Sequence, residues 1–530
     1  MRTNLMRNIP KGVAAVAATV LIAAACSSGS RSSGSHSTTK PSTGTAAGAR
    51  KPNIVFILTD DLSWNLVTPQ IAPHITALEK QGETYSNYYV TDSLCCPSRS
   101  TIFTGLFPHD TKVQSNMPPV GGYQKFQTQH LDTRTFAVAL HNAGYATSML
   151  GKYLNGYGDP KFTPSAAPVP PGWTDWHVSN STGYLEYNYL LNDNGKINAY
   201  KNSNDYGVDV VNRDAQSFIT QHAGSPFFVE AATFAPHAPY TPAKRNANDF
   251  PGLTEPRDPS YDAQVVNPPA WLGQRHALPP KQLANLDKNY RKRAQAVESV
   301  DKLVADTEAT LAARRLTNDT YIVFSSDNGY HLGQHRLARG KQTAFDTDIR
   351  VPLIVSGPGV PKDRVVSQMT QNTDLYPTFV QLGAAAPAQP VDGQSLVPLL
   401  HPGGAAPMWR TAALVEHHGG NDDPSDPDFE GGGSNPTTYE ALRIDAASLP
   451  GFSRPVNAVY VEYADKQHEI EYYDIARDPY ELVNVAQQLT TAQRDELHKV
   501  LSALENCHDT TACRDAAAPS TATVSTPIPQ

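Results

Sequence analysis

From Asn53 the chain reads NIVFILTDD, an apolar run that stops abruptly at two acids. Such a run, without polar alternation, marks a strand covered on both faces, as in a parallel sheet. The pattern returns at YATSMLGKY, PFFVEAATFAPH, TYIVFSSDNG and VPLIVSGPG, separated by helix-like stretches such as Thr133 to Ala143 and Tyr290 to Arg314. Strands alternating with helices predict an α/β layered fold around a mostly parallel central sheet. Ligands of such sheets collect beyond the carboxyl ends of the strands. Four of these runs would bring Asp60 and Asp61, Lys152, His237, and Asp327 with Asn328 to that end, so residues far apart in sequence should share one cleft.

A different pattern follows residue 385, where Pro/Ala/Gly-rich stretches around Pro387 and from His401 to Pro407 mark a boundary. Residues 51–385 thus read as a catalytic domain and 386–513 as a small α+β domain. In the latter, TAALVEH, AVYVEY and HEIEYYDI suggest a little antiparallel sheet, followed by a helix from Thr491 to Glu505. Between them runs an acidic, Gly-rich surface loop, and its stretch from Asn421 to Asn435 is expected at the cleft rim. Residues 514–530 read as a disordered tail.

At the other end, Arg2, Arg7 and Lys11 precede an apolar run from Val13 to Ala25, too short to span a bilayer comfortably but suited to a signal peptide. The run closes in LIAAAC, which resembles a bacterial lipobox with Cys26 as the acylated residue, although Ala23 stands where Leu is usual. A plain cleaved signal with an idle Cys26 is the alternative. Residues 26–50, rich in Ser, Gly and Thr, would form a flexible tether. The expectation is an exported protein, held on the outer face of a bacterial cell membrane through a lipid anchor or secreted. In that setting Cys507 and Cys513 read as a disulfide. The 530 residues exceed one small core. A net charge of -8 gives no reason to expect a nucleic-acid partner.

The chemistry concentrates in LCCPSRSTIFTG. Pro97 and a helix-forming stretch from Ser98 to Thr104 put Cys95 near a helix N-terminus, which attracts negative charge. Cysteine alone would fit a reactive thiolate or a small buried residue, and on the cysteine alone the buried residue is the better reading. Asp60 with Asp61, and Asp327 with Asn328, each follow a buried strand; adjacent carboxylates there repel unless a cation lies between them. Oxygen donors without a cysteine or histidine cluster suit calcium or magnesium rather than zinc, with calcium preferred. Acidic turn residues are the alternative for either pair alone.

Cys95, Pro97, Ser98, Arg99, Thr104 and Gly105 match C-x-P-S-R-x-x-x-x-T-G, and the chain thereby resembles the type I sulfatases, which are alkaline-phosphatase-like in fold. The resemblance implies that a formylglycine-generating enzyme oxidises Cys95 before the chain folds, and that Asp60, Asp61, Asp327 and Asn328 bind the metal together with the residue at 95. Cys96 fills the variable position and is assigned no chemistry. Arg99, Lys152 in GKYLNGYG, His237 in APHAPY and Lys341 stand in sulfatase-like blocks and would hold the sulfate and stabilise the leaving oxygen. His331 is a further substrate contact and His335 a supporting residue.

Where many sulfatases carry a histidine two positions after the GK lysine, this chain has Leu154 and then Asn155. GKYLNGY resembles instead the N-acetylglucosamine-6-sulfatases and their extracellular heparan endosulfatase relatives, as do CCPSR, PHAPY and YYDIARDPYELVNVA. The implied reaction is hydrolysis of carbohydrate sulfate esters, above all N-acetylglucosamine 6-sulfate units of glycosaminoglycan- or mucin-like glycans, with Asn155 contacting substrate. A hydrated aldehyde would attack sulfur, Lys341 or His237 would protonate the sugar oxygen, and the second hydroxyl would lose its proton to expel sulfate. The alternatives are an arylsulfatase, a phosphodiesterase or phosphonate hydrolase of the same superfamily, or a non-catalytic lipoprotein that binds sulfated glycans.

Overall fold

Four buried strands set the frame: β1 (Asn53–Thr59), β2 (Ala146–Lys152), β3 (Phe227–Ala232) and β4 (Thr320–Ser326). They lie in a ten-stranded sheet in the order β4, β1, β3, β2, all parallel. The computed structural model describes residues 51–159, 168–403, 408–419, 426, 428 and 436–518. The signal sequence, the tether with Cys26 and the tail beyond residue 518 lie outside the described residues. Among those described, no helix is long and apolar enough to cross a membrane.

Register explains the convergence of the chemistry. Leu58 pairs with Ser325 on one side and Ala232 on the other, and Ala232 pairs in turn with Gly151. The strands therefore end in one row. Along β1, Ile54, Phe56 and Leu58 pack into one apolar layer and Val55 and Ile57 into the other, the period-2 alternation of a sheet covered on both faces. α1 (Cys95–Thr104), α2 (Phe136–Asn142) and a later helix, Leu375–Leu382, contribute to the first layer; α3 (Gly207–Gln221) and α4 (Pro280–Ala313) to the second. α4 starts ten positions before the expected Tyr290, with Pro280 in its first turn, where proline's missing N–H costs nothing.

VPLIVSGPG forms a strand, Leu353–Ser356, that runs antiparallel to β4. Its end therefore lies away from the row.

The C-terminal region holds four antiparallel strands, β5 (Ala412–His417), β6 (Tyr439–Ala446), β7 (Val456–Tyr463) and β8 (Ile470–Asp474). β6 is the strand the hydrophobic pattern does not reveal. Helix α5 (Thr491–Glu505) begins at a Thr490–Gln493 capping box and packs Leu497, Val500, Leu501 and Leu504 on Leu414, Leu442 and Tyr460. Cys507 and Cys513 are disulfide-bonded, and α6 (Thr510–Ala517) carries the ordered chain past Cys513, into the stretch read as tail. Backbone and side-chain bonds tie this sheet to a small two-stranded ladder, Tyr88–Tyr89 with Thr370–Gln371, and the chain just past it: Glu416 N donates to Thr91 O (2.7 Å) and Gln371 Nε2 to Leu414 O (2.8 Å).

Candidate active site at the carboxyl ends of the sheet

Directly after β1 the backbone turns at Asp61, whose φ of 63° is left-handed, a conformation aspartate tolerates better than most residues. Buried Arg293 of α4 holds that turn by donating to Asp61 O (2.5 Å). β2 needs its glycine for a different reason. A Cβ on Gly151 would lie 1.9 Å from Ala232 O of β3, so only glycine lets Lys152 follow at this place. Cys95 is the first residue of α1 and fully buried. The next amide, Cys96 N, is one of the helix's unpaired N–H groups, and Asn116 Oδ1 accepts it at 2.9 Å.

The structure brings together Asp60, Asp61, Cys95, Arg99, Lys152, His237, Asp327, Asn328 and Lys341. Lys152 Nζ donates to Asp60 Oδ2 (2.6 Å), and Lys341 Nζ to Asp61 Oδ1 (2.6 Å) and Cys95 Sγ (2.8 Å). Arg99 Nε donates to Asp327 Oδ2 (2.7 Å), and Cys95 Sγ to Asp60 Oδ1 (3.2 Å). Ligand atoms of Asp60, Asp61, Cys95 and His237 lie within 4.8 Å of one another. His237 thus joins a cluster that sequence reasoning filled with Asp327 and Asn328; Asp327 is turned toward Arg99, and Asn328 Nδ2 donates to Asp61 Oδ1 (2.7 Å).

Within this cluster three buried atoms have no hydrogen-bond partner among the described residues: Asp61 Oδ2, Asn328 Oδ1 and Arg99 Nη2. Two are acceptors beside acids, oxygen atoms that suit a hard cation; the third is an N–H that suits an anion.

Burial pushes the Asp60 carboxyl up to about 6; Lys152 opposes this, and Asp327 and Asp61 add repulsion. A cation would relieve that crowding. For Asp327 burial also raises the pKa, but Arg99, Lys152 and Lys341 outweigh it and hold the group at about 2. Burial alone would lower His237, yet Asp61, Asp60 and Asp428 raise it to about 9, so the ring is cationic near neutrality. Burial, then Asp428 and Asp60, push the Cys95 thiol up, leaving it a poor nucleophile as cysteine.

Asn155 lines a small cavity of about 30 Å³ beside Lys152, with Tyr184 and Phe234, and its Nδ2 donates to Tyr184 Oη (3.3 Å). His331 is placed elsewhere: its Nδ1 bonds Asp348 (2.9 Å), and it lines a cavity of about 730 Å³ with Arg336 and Leu337. His335 stacks on Phe345 with ring centres 3.8 Å apart, and burial lowers its pKa to about 4, making it a packing residue.

Sequence reasoning missed Asn116, Tyr184 and Asp428. Asn116 sits in a loop with no motif around it. Tyr184 packs against His237 (4.5 Å between ring centres) and takes Lys152 Nζ over its face at 5.0 Å, a cation–π contact. Of the acidic stretch from Asn421 to Asn435, Asp426 and Asp428 are described, and both are buried in the site rather than on its rim; the remainder lies outside the described residues.

The sulfatase family profile matches residues 52–385. N-acetylglucosamine-6-sulfatase of Homo sapiens is 33% identical over 487 residues, covering 89% of this chain and 87% of that one. An extracellular sulfatase SULF-1 homolog of Drosophila melanogaster is 35% identical over 388 residues, 71% of this chain and 34% of the other. In fold, the chain is similar to BT4656, solved in complex with its substrate D-glucosamine-2-N,6-O-disulfate, with a TM-score of 0.70 at 20% identity over 86% of this chain and 97% of that one. With that profile across its larger sheet and that identity along most of its length, the chain belongs to the sulfatase family and is a sulfuric ester hydrolase.

Proposed function

We propose that the enzyme hydrolyses sulfate esters of carbohydrates, with N-acetylglucosamine 6-sulfate units of glycosaminoglycan- or mucin-like glycans as substrate. The observation that carries the chemistry is the convergence of unpartnered Asp61 Oδ2, Asn328 Oδ1 and Arg99 Nη2 in the cleft floored by buried Cys95. The sugar assignment is supported by the GKYLNGY block and by the names of the relatives above.

Asp60, Asp61, Asp327 and Asn328 would hold one divalent cation, calcium ahead of magnesium. The cation would polarise a sulfate oxygen, and formylglycine at position 95 would supply, once hydrated, one hydroxyl to attack sulfur and a second whose deprotonation lets sulfate leave. Arg99 offers its free Nη2 to a sulfate oxygen. Lys152 and Lys341, both held charged by the acids around them, neutralise the ester. His237 fixes its ring by donating Nδ1–H to Ala238 O (2.7 Å), and its Nε2–H, held by Asp428 Oδ1 at 2.8 Å on a ring cationic near neutrality, would protonate the departing sugar oxygen. Asn155 and Tyr184 line the wall where sugar hydroxyls would be read. Acylated Cys26 would anchor the enzyme on the outer face of the membrane; Cys26→Ala should then release it or leave it unprocessed.

Mass spectrometry of the peptide holding position 95, paired with sulfate release from N-acetylglucosamine 6-sulfate, an aryl sulfate and a phosphodiester, tests the reading. An aldehyde at 95 and turnover of the amino-sugar ester are expected. Turnover of aryl sulfate alone would reject the sugar and keep the sulfatase. Cysteine at 95 with glycan binding but no turnover would reject the mechanism.

A further inference from the structure

Lysine carries three donors and an imidazolium two. On Lys341 two are taken, by Asp61 Oδ1 (2.6 Å) and Cys95 Sγ (2.8 Å), and Asp428 Oδ1 stands 3.0 Å from the ammonium as an ion pair. On His237 both are taken, by Ala238 O (2.7 Å) and Asp428 Oδ1 (2.8 Å); Asp61 Oδ2 at 3.6 Å is beyond hydrogen-bond reach. One oxygen of Asp428 therefore occupies the donor that the leaving group needs from His237 and stands against the ammonium that a sulfate needs from Lys341. Its other oxygen accepts from Asn116 Nδ2 (2.7 Å) and lies 3.5 Å from Cys95 Sγ. Asp426 braces the arrangement, its Oδ1 accepting from Asp428 N (3.0 Å) and Asn116 Nδ2 (3.2 Å). Burial pushes Asp428 up, but Lys341 and His237 outweigh it and hold the carboxyl well below the usual range.

We propose that Asp428 is an internal stand-in for the sulfate group: its carboxylate holds Lys341 and His237 between turnovers, and substrate or product sulfate binds only by displacing it, so that Asp428 sets the affinity of the cleft for sulfate. The proposal rests on reading Lys341 and His237 as sulfate-holding groups. A second anion on the same N–H gains at best a divided, weaker bond, and crowding it beside the first at about 3 Å is repulsive. Without it His237 Nε2–H would be unpaired in a buried cleft and Lys341 would keep only the Asp61 carboxylate, which is also unfavourable, so an internal anion keeps them paired until the ligand arrives. Apparent affinity then falls by the fraction of time the cradle is free, for ester and released sulfate alike, and that loosens product.

Calorimetric titration of the full chain with inorganic sulfate tests this in wild type, Asp428→Asn, Asp428→Ala and Lys341→Ala, with thermal melts to confirm folding. Asn keeps an acceptor for Asn116 while removing the charge. Both Asp428 variants are expected to bind sulfate at least about tenfold tighter than wild type, with the inhibition constant of sulfate falling by the same factor during turnover. A merely structural Asp428 would loosen the site and weaken binding. Unchanged or weaker sulfate binding in both variants, with binding lost in Lys341→Ala, overturns the proposal and leaves the cradle reading intact. Wild-type binding that Lys341→Ala does not touch overturns the cradle reading and the proposal with it.

Discussion

Two buried arginine–aspartate pairs sit on opposite sides of the functional divide. Arg410 grips Asp374 with both ends of its fork (2.8 and 2.7 Å), and Arg99 meets Asp327 at 2.7 Å. Both pairs are buried. The difference is in what is left over. Each Asp374 oxygen takes a second donor, Gln371 N (2.9 Å) on one and Gln394 N (2.8 Å) on the other. Around Arg99, by contrast, Nη2 and the neighbouring Asp61 Oδ2 and Asn328 Oδ1 are without partners. An unmade buried hydrogen bond costs about 1–3 kcal/mol, a loss that a ligand reaching all three atoms would make up. What marks the Arg99 side is that two acceptors and a donor are left over on neighbouring residues of one cleft, while both Asp374 oxygens are fully used.

The largest effect should come from removing the group on which the leftovers converge. Cys95→Ala is expected to lower turnover by about 10³-fold or more while the melting temperature stays within a few degrees, measured by sulfate release and calorimetry. Cys95→Ser should give one slow turnover and a sulfated serine peptide, whereas Cys96→Ala keeps most activity. Normal turnover in Cys95→Ala would end the comparison.

At the closed pair the signature should reverse. Arg410→Ala strands the buried Asp374 carboxylate, with an expected loss of about 3–5 kcal/mol in denaturant unfolding and no change in kcat of the folded fraction. A drop in kcat at unchanged stability would show that the two pairs differ less than argued.

His109 extends the contrast to pH. Burial would lower its pKa, but Glu416 beside Nδ1 (3.1 Å) and the Cys507 carbonyl raise it from 6.5 to about 9. The stabilisation is therefore fully present below about pH 6.5 and lost as pH rises through about 9, with a ceiling of about 3 kcal/mol. His109→Gln should be less stable than wild type at pH 6 and match it at pH 10; an equal gap at both would refute the charge assignment. Smallest is the disulfide. Replacing Cys507 and Cys513 by alanine opens a short loop and should cost about 2 kcal/mol, read from the same unfolding curves, with activity intact.

How much of this was legible follows from what each residue's neighbours are. β1 to β4 announce themselves because both faces are apolar, and their ends carry the acids, lysine and histidine of the cleft. β6 is hidden because Glu440, Arg443 and Asp445 interrupt its run; Arg443 is nonetheless buried, donating to Asp346 Oδ1 (2.9 Å) and Asn457 Oδ1 (2.7 Å). Leu353–Ser356 is as apolar as the parallel strands, and composition does not encode direction. The Asp348 partner of His331 was not legible, because a histidine in a sulfatase-like block looks the same whatever its ring nitrogen meets. Asp428 lay in a loop with no periodicity, and only the fold reveals that it meets Lys341.

Cys95 has 0% of its surface exposed. On the proposed chemistry, that enclosure makes folding a deadline, because an enzyme that must reach the β-carbon of this residue has only the unfolded chain to work on. The active share of any preparation is then a contest of two rates, oxidation against folding, fixed once for each molecule. Substitutions that hasten folding should yield more soluble protein with lower activity per milligram, and refolding an unmodified stock should recover structure without recovering catalysis.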